Sequence, residues 1–122
     1  MTISIRNADY FTIIDIHSAE IDFKQVKILK KTLFDLLKSN KNFLIINMSF
    51  ICSIDSSFLE CLITMQNKFR KKGGELCVYG VQSEVLMIFY IVQLDKYIHI
   101  YNSEFDALNN KNMLVKRRFK LI

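Results

Sequence analysis

The sequence contains few of the residues that metal sites and disulfide frameworks require. Its 122 residues include three cysteines, two histidines, three glycines and no proline or tryptophan. Cys52, Cys61 and Cys77 are odd in number and lack C-x-x-C spacing, so we expect three buried, reduced thiols. His17 and His99 are far apart with no cysteine or acidic ligand pattern nearby, which predicts positions at the surface or at strand ends. No metal or cofactor is expected.

Long hydrophobic runs and catalytic motifs are also absent from the sequence. No apolar run approaches the roughly 20 residues of a membrane span, and residues 1–4 lack the basic start and apolar core of a signal peptide. A cytoplasmic location is therefore expected. Because the sequence shows no Gly-rich phosphate loop and no nucleophile paired with histidine and aspartate, we expect a protein that is not an enzyme.

The sequence is rich in apolar residues, which make up 51% of a chain long enough for one compact domain. Its net charge of +5 is modest, and two basic clusters occur at 68–72 and 116–120. Neither cluster has the aromatic and glycine interleaving of an RNA-binding segment. Nucleic acid is therefore not a predicted partner.

Hydrophobic patterning predicts alternating strands and helices in the first two thirds of the chain. Residues 2–7 and 10–16 favour a hairpin that turns at 7–9. Asp22 is a natural N-cap for an amphipathic helix at about 23–39, and a short, fully apolar strand is predicted at 43–46. The apolar stripe of the first helix is Val26, Leu29, Leu33, Leu36 and Leu37. A second helix is predicted from about Ser57 to residue 72, ended by two glycines at 73–74 and followed by a strand at 75–79.

The second helix has an apolar arc wider than one contact with the sheet needs. Leu59, Leu62, Ile63 and Phe69 form the stripe predicted to pack on the sheet, and the solvated stripe is Glu60, Thr64, Asn67 and Lys71. Phe58, Cys61 and Met65 widen the apolar arc. Core packing explains most of this arc, and a partner surface would use the same residues.

The last third of the chain has a weaker pattern. Ser83 is a predicted N-cap, and periodicity alone cannot assign the apolar run at 85–92 to a strand or a helix. Alternation predicts the last strand at 97–101, and Ser103 is expected to cap a short helix at 104–108. Residues 111–122 are both basic and apolar, which fits an added packed element, a segment that binds an anionic surface, or a mobile tail.

The strand-to-helix junction at Asp55-Ser56-Ser57 carries the clearest functional signal. Asp and Ser are favoured N-caps, and the positive end of a helix dipole tolerates an added anion. The segment FLIINMSFICSIDSSFLECLITMQNKFRKKGGELCVYGV resembles the central signature of STAS domains, the fold of bacterial anti-sigma factor antagonists. Asp55, Ser56, Ser57 and Leu59 match that family's Asp-Ser-[Ser/Thr]-Gly-Leu motif, and the paired glycines at 73–74 match its turn.

The resemblance implies a single α/β domain over 1–110. We expect a mixed sheet of about four to five strands, about four helices mainly on one face, and a helix at 85–92. It also implies a regulatory binding module in which an anti-sigma factor with serine kinase activity phosphorylates Ser56 and a PP2C-type phosphatase resets it. Asp55, Ser57 and Phe58 would form the phosphosite loop. The expected partner contacts are Asp22, Glu60, Thr64, Met87, Ile88, Tyr90 and Ile91. Because the run at 85–92 has no polar face, we expect its apolar surface to bind a partner or a second copy.

One position departs from the family motif. Phe58 stands where the family has a glycine, which would leave the first helical turn open to a kinase. This residue is the main support for an alternative, a STAS-like adaptor in a signalling or transporter complex that is never phosphorylated. A second alternative is a small-ligand sensor for nucleotides or lipids.

Overall fold

The computed structural model describes residues 1–110. Its strands are β1 (Thr2–Ala8), β2 (Phe11–His17), β3 (Glu20–Ile21), β4 (Phe43–Asn47), β5 (Ser53–Ile54), β6 (Glu75–Tyr79) and β7 (Ile100–Tyr101). Its helices are α1 (Phe23–Lys38), α2 (Ser56–Lys71), α3 (Ser83–Ile91) and α4 (Glu104–Leu108), with a 3-10 turn at Leu94–Lys96. The interpretation of 111–122 as a separate basic and apolar extension lies outside the described residues.

The main sheet has five strands in the order β1-β2-β4-β6-β7. β1 and β2 form an antiparallel hairpin closed by Asp9 and Tyr10, and β2, β4, β6 and β7 run parallel to one another. Every residue of β4 and β6 is buried, as expected for central parallel strands covered on both faces. Because β2 and β4 are parallel, the loops that follow them leave the sheet at the same edge.

The helices cover the two faces unequally. α1, α2 and α3 pack on the face that carries Leu44 and Ile46. On the opposite face, Ala107 of α4 packs in a smaller cluster with Phe43 and Ile45. Within residues 1–110 this is a mixed five-stranded sheet with four α-helices mainly on one side, which confirms the predicted fold class.

A second, two-stranded sheet was not predicted. β3 and β5 pair in parallel, with Glu20 opposite Ser53 and Ile21 opposite Ile54. Backbone amides extend the contact at both ends, because Cys52 N donates to Ala19 O over 2.7 Å and Asp55 N donates to Ile21 O over 2.9 Å. The pair joins the segment before α1 to the segment before α2.

Three local predictions are wrong. The last strand covers only Ile100–Tyr101, because the amides of Tyr97 and Ile98 donate to Leu94 O and continue the 3-10 turn instead. Gln82, not Ser83, is the N-cap residue of α3, and its side chain makes no capping bond. Cys52 is exposed rather than buried.

The face of α2 that packs on the sheet is also rotated from the prediction. Phe58, Leu62, Met65 and Phe69 are fully buried, whereas Leu59 and Ile63 are only half-buried. The residues expected to widen the apolar arc are therefore the centre of the packed face. By contrast, four of the five residues in the predicted α1 stripe are buried, and Leu36 is half-buried.

Candidate functional site

The β3–β5 pair sets the starting points of two helices side by side. Asp22 and Asp55 are the next residues after this pair, in the same register. Each is an N-cap: Asp22 accepts from Gln25 N over 2.9 Å, and Asp55 accepts from Ser57 N over 2.9 Å. Since adjacent strands lie about 4.8 Å apart, two cap carboxylates and two positive helix ends occupy one corner of the molecule.

Ser56 is the first residue of α2 and its side chain is exposed. The hydroxyl and the amide of Ser57 both lie near the Asp55 carboxylate, and together they hold the pKa of Asp55 below its ordinary value. Of these two contacts, the amide contact has hydrogen-bond geometry, whereas the buried hydroxyl oxygen has no hydrogen-bond partner in the described chain. The site therefore presents the outward hydroxyl of Ser56 beside the ionised carboxylate of Asp55.

The loop that leads to this corner is anchored by buried side chains. Met48 and Ile51 are 0% exposed. Asn47 Oδ1 accepts from both Ser49 N at 3.0 Å and Ser49 Oγ at 2.6 Å, and Gln82 Nε2 donates to Ser49 O over 2.7 Å. These contacts connect the end of β4, the loop at 48–52 and the beginning of α3.

Phe58 does not lie over Ser56. Its side chain is 0% exposed and packs in the main core beneath α2. Two residues along a helix turn the side chain by roughly 200°, so Ser56 faces solvent while Phe58 faces the sheet. The departure from the family glycine leaves the hydroxyl accessible.

The predicted partner contacts fall on two surfaces. Glu60 and Thr64 line a groove of about 330 Å³ between α1 and α2, together with Ser57 and, on the α1 side, Lys27 and Lys30. Asp22 is exposed at the start of α1. This first surface adjoins Ser56.

The second surface is the outer side of α3. Only Val85 and Phe89 of this helix are buried. The exposed apolar side chains of the α3 patch, with their exposed fractions, are Met87 (64%), Ile88 (39%), Tyr90 (55%), Ile91 (72%) and Val92 (48%). The expected exposure is confirmed, and the first turn of α3 adjoins the loop at 48–52 through Cys52.

Comparison with known proteins shows the family to which this fold and site belong. The sequence model of the STAS domain matches residues 2–107. The chain belongs to the STAS domain family. A search of curated proteins finds no match to it.

Solved structures of anti-sigma factor antagonists are among those that share the fold. An anti-sigma factor antagonist from Mycobacterium paratuberculosis is 21% identical, with a TM-score of 0.79 over 88% of this chain and 90% of that one. The anti-sigma factor antagonist SpoIIAA in its unphosphorylated form is 15% identical, with a TM-score of 0.74 over 99% and 98%. SpoIIAA of Bacillus is also known in its phosphorylated form, at 13% identity and a TM-score of 0.69 over 88% and 97%.

A polar cluster across the sheet was not predicted for this STAS domain. Arg6 Nε and Nη2 donate to the two oxygens of Asp15 over 2.6 and 2.9 Å, and Nη2 also donates to Glu104. Asn47 Nδ2 donates to Asp15 Oδ1 over 2.8 Å, and Tyr79 OH donates to Glu104 Oε1 over 3.1 Å. Asp15, inside the largely apolar β2, was the sequence signal that could have predicted this cluster, because a buried carboxylate requires partners.

The cluster shifts the ionisation of its members. Hydrogen bonds from Arg6 lower the pKa of both Asp15 and Glu104, and the same bonds raise the pKa of Arg6. Burial, and then its bond to Glu104, raises the pKa of Tyr79 to about 12. All three charged groups are therefore ionised near neutral pH, and the cluster links β1 and β2 to α4.

The remaining candidate residues do not assemble a further site. Burial raises the pKa of the Cys61 thiol to about 11 and that of Cys77 still further, so neither is a thiolate at neutral pH. His17 lies exposed at the end of β2, as predicted, with its ring 4.9 Å from that of Phe50. Within residues 1–110, no three His, Cys, Asp or Glu side chains are grouped to hold a metal ion. None of the helices described is long and apolar enough to cross a membrane.

Proposed function

We propose that this STAS domain is an anti-sigma factor antagonist-like binding module of the cytoplasm, without enzymatic activity, switched by phosphorylation of Ser56. In this proposal a partner anti-sigma factor with serine kinase activity adds the phosphate, and a PP2C-type phosphatase removes it. Residues 1–110 form the domain, with 111–122 as an extension. The observation that carries the proposal is the exposed hydroxyl of Ser56 at the corner where two capped helices begin.

The comparisons give the proposal its biological context. Structural relatives include proteins described as anti-sigma factor antagonists, and SpoIIAA is known in both phosphorylated and unphosphorylated forms. The motif positions Asp55, Ser56 and Ser57 lie in this chain at a strand-to-helix junction with an accessible serine. A reversible modification at that position is therefore a chemically reasonable switch.

The electrostatics of the corner support a change in surface charge rather than a change in fold. A phosphate adds a charge of about −1.5 to −2. The positive ends of α1 and α2 favour an anion near Ser56, so the helices tolerate the group. The neighbouring carboxylates of Asp22 and Asp55 are already negative, and a partner that docks on the unmodified corner would meet a much more negative surface.

Partner contacts are proposed for both surfaces described above. The groove surface contributes Asp22, Glu60 and Thr64 next to Ser56. The α3 patch contributes the exposed Met87, Ile88, Tyr90 and Ile91, and it serves either the same partner or a second copy of this chain. Burial of Phe58 removes the main support for an adaptor that is never phosphorylated.

The proposal is tested by phosphosite mapping of the protein purified from its own cells. We expect one phosphate on Ser56, lost in Ser56→Ala and retained in the matched control Ser57→Ala, because the Ser57 hydroxyl is buried. Absence of phosphate at Ser56 under all growth conditions would contradict the switch.

A binding assay tests the consequence. Ser56→Asp is expected to lose the partner that co-purifies with the wild-type chain, whereas Ser56→Ala keeps it. Ile91→Asp in the same assay tests the α3 patch and is expected to weaken the complex or a homodimer. Equal binding by wild type and Ser56→Asp would show that Ser56 lies outside the interface.

A further inference from the structure

Charge is strongly segregated within the described residues. Between Phe23 and Lys72, the part of the chain that contains α1 and α2, there are ten Lys or Arg residues and three Asp or Glu residues. The rest of residues 1–110 contains two Lys or Arg residues and nine Asp or Glu residues. The described domain is therefore close to neutral overall, yet it has a net charge of +7 on one part and −7 on the other. Such an asymmetry orients a protein in the field of a charged surface.

The outward side of α1 carries most of this positive charge. Its exposed residues opposite the buried stripe are Lys24, Lys27, Ile28, Lys31, Asp35 and Lys38. Four of the six are lysines, and one is an acid. Among the described residues, no ion pair involves any lysine of α1.

α2 extends the same basic surface. α1 and α2 begin at the β3–β5 pair and pack against each other. Lys68 of α2 lies with its Nζ 5.2 Å from the ring of Phe34, which places it along the α1–α2 seam, and Lys71 is exposed further along the helix. We call the surface formed by Lys24, Lys27, Lys31 and Lys38 of α1 with Lys68 and Lys71 of α2 the lysine face.

Two exposed apolar side chains lie on this face. Phe23 is 52% exposed and Ile28 is 57% exposed. Lys27 Nζ lies 5.8 Å from the centre of the Phe23 ring, so a charged group and an aromatic ring lie next to each other on this surface. Lysines surrounding exposed aromatic and branched apolar side chains are typical of helices that lie in the interface of an anionic membrane.

We propose that the lysine face binds the surface of membranes that contain anionic phospholipids. Dispersed lysines with flexible stems suit a diffuse layer of lipid phosphates. Nucleic-acid readers and fixed acidic partners favour arginine, which makes bidentate contacts. The one arginine of α1 and α2, Arg70, pairs with Glu75 and donates to Tyr97 O on another side of α2. The proposal is independent of Ser56 phosphorylation.

The test is co-sedimentation of the full-length protein with phospholipid vesicles. We expect binding to phosphatidylcholine vesicles that contain phosphatidylglycerol, strong weakening by high salt, and little binding to pure phosphatidylcholine. Equal binding to both vesicles, or binding to single-stranded RNA or polyglutamate in preference to the anionic vesicles, would overturn the proposal.

Charge-matched variants locate the contact. Removing three charges with Lys24→Gln, Lys27→Gln and Lys31→Gln is expected to weaken vesicle binding about a hundredfold, since each lysine near an anionic bilayer contributes about fivefold. The control removes three charges from the C-terminal segment with Arg117→Gln, Arg118→Gln and Lys120→Gln and is expected to keep most of the binding. The reverse order of effects would assign binding to that segment and overturn the proposal.

A third variant tests the apolar component. Ile28→Gln keeps all charges and removes an exposed apolar side chain, so it is expected to weaken binding several-fold while leaving the salt dependence unchanged. Thermal denaturation checks that each variant is folded, which the exposure of all substituted α1 side chains favours. Unchanged vesicle binding by both α1 variants would refute the proposed surface.

Discussion

Replacing Phe58 with glycine restores the residue that the family motif carries at this position, and we expect it to destabilise the protein severely. The Phe58 side chain is 0% exposed and packs in the main core. Truncating a buried phenylalanine to alanine costs about 3–5 kcal/mol, and a helical glycine costs up to about 1 kcal/mol more. Because a domain of this kind has a total stability of about 5–15 kcal/mol, the variant should lose a large part of its free energy of unfolding.

Urea denaturation of matched variants measures this loss. Asn67→Gly places a glycine at an exposed position of the same helix. It gives the backbone penalty alone, about 0.3 kcal/mol, because asparagine is itself a weak helix former. Phe58→Leu retains an apolar side chain of similar size and is expected to cost about 1–2 kcal/mol. The difference between Phe58→Gly and Asn67→Gly isolates the contribution of the buried ring.

Two results would refute the reasoning. A Phe58→Gly variant no less stable than Asn67→Gly would mean that the ring is not part of the core. A Phe58→Leu variant phosphorylated at Ser56 much faster than the wild type would mean that the ring shields the hydroxyl. We expect the same phosphorylation rate in both proteins, since Phe58 and Ser56 point to different sides of α2.

Two further predictions concern polar side chains that are paired in the fold. Asp15 and Glu104 have lowered pKa values in the folded protein, so their stabilising contribution is present near neutral pH and is lost as pH falls through and below about 4. The melting temperature should drop between pH 5 and pH 3, and Asp15→Asn should cost about 2 kcal/mol at pH 7 and flatten that drop. Gln66 is 1% exposed and pairs with backbone groups of β6 and of the turn after α3. Gln66→Leu should lower the unfolding free energy by about 2–4 kcal/mol in urea, since buried backbone groups lose their partners. The exposed control Asn67→Leu should change it little, and equal losses would contradict this role.

The features that could be predicted from the sequence depend on near neighbours in the chain. Asp22 and Asp55 cap helices through bonds to residues two or three positions ahead, which is why the residue types alone indicate both helix starts. The apolar runs of β4 and β6 require burial on both faces wherever they lie in the sheet. The positive φ of 76° at Gly73 likewise marks the end of α2 locally.

The features that could not be predicted depend on distant parts of the chain. β3 and β5 have two residues each, too few for a pattern, and they exist because the two segments meet in space. The orientation of α2 is ambiguous in the sequence because its apolar arc is wide. The packing of α2 against α1 and the sheet buries Phe58 and Met65 and leaves Leu59 and Ile63 only half-buried.

The contacts of the loop at 48–52 bear on how a phosphate at Ser56, if the proposal holds, would affect a partner. Asn47 holds Ser49 by two hydrogen bonds, Gln82 at the beginning of α3 holds the Ser49 carbonyl, and Ile51 is fully buried. A loop fixed by these contacts gives little room for rearrangement, and the capped helix start accommodates an anion. The proposed switch therefore acts through the charge of a rigid corner. Amide chemical shifts of the phosphorylated protein should change around Ser56 and Asp22 but not across the α3 patch.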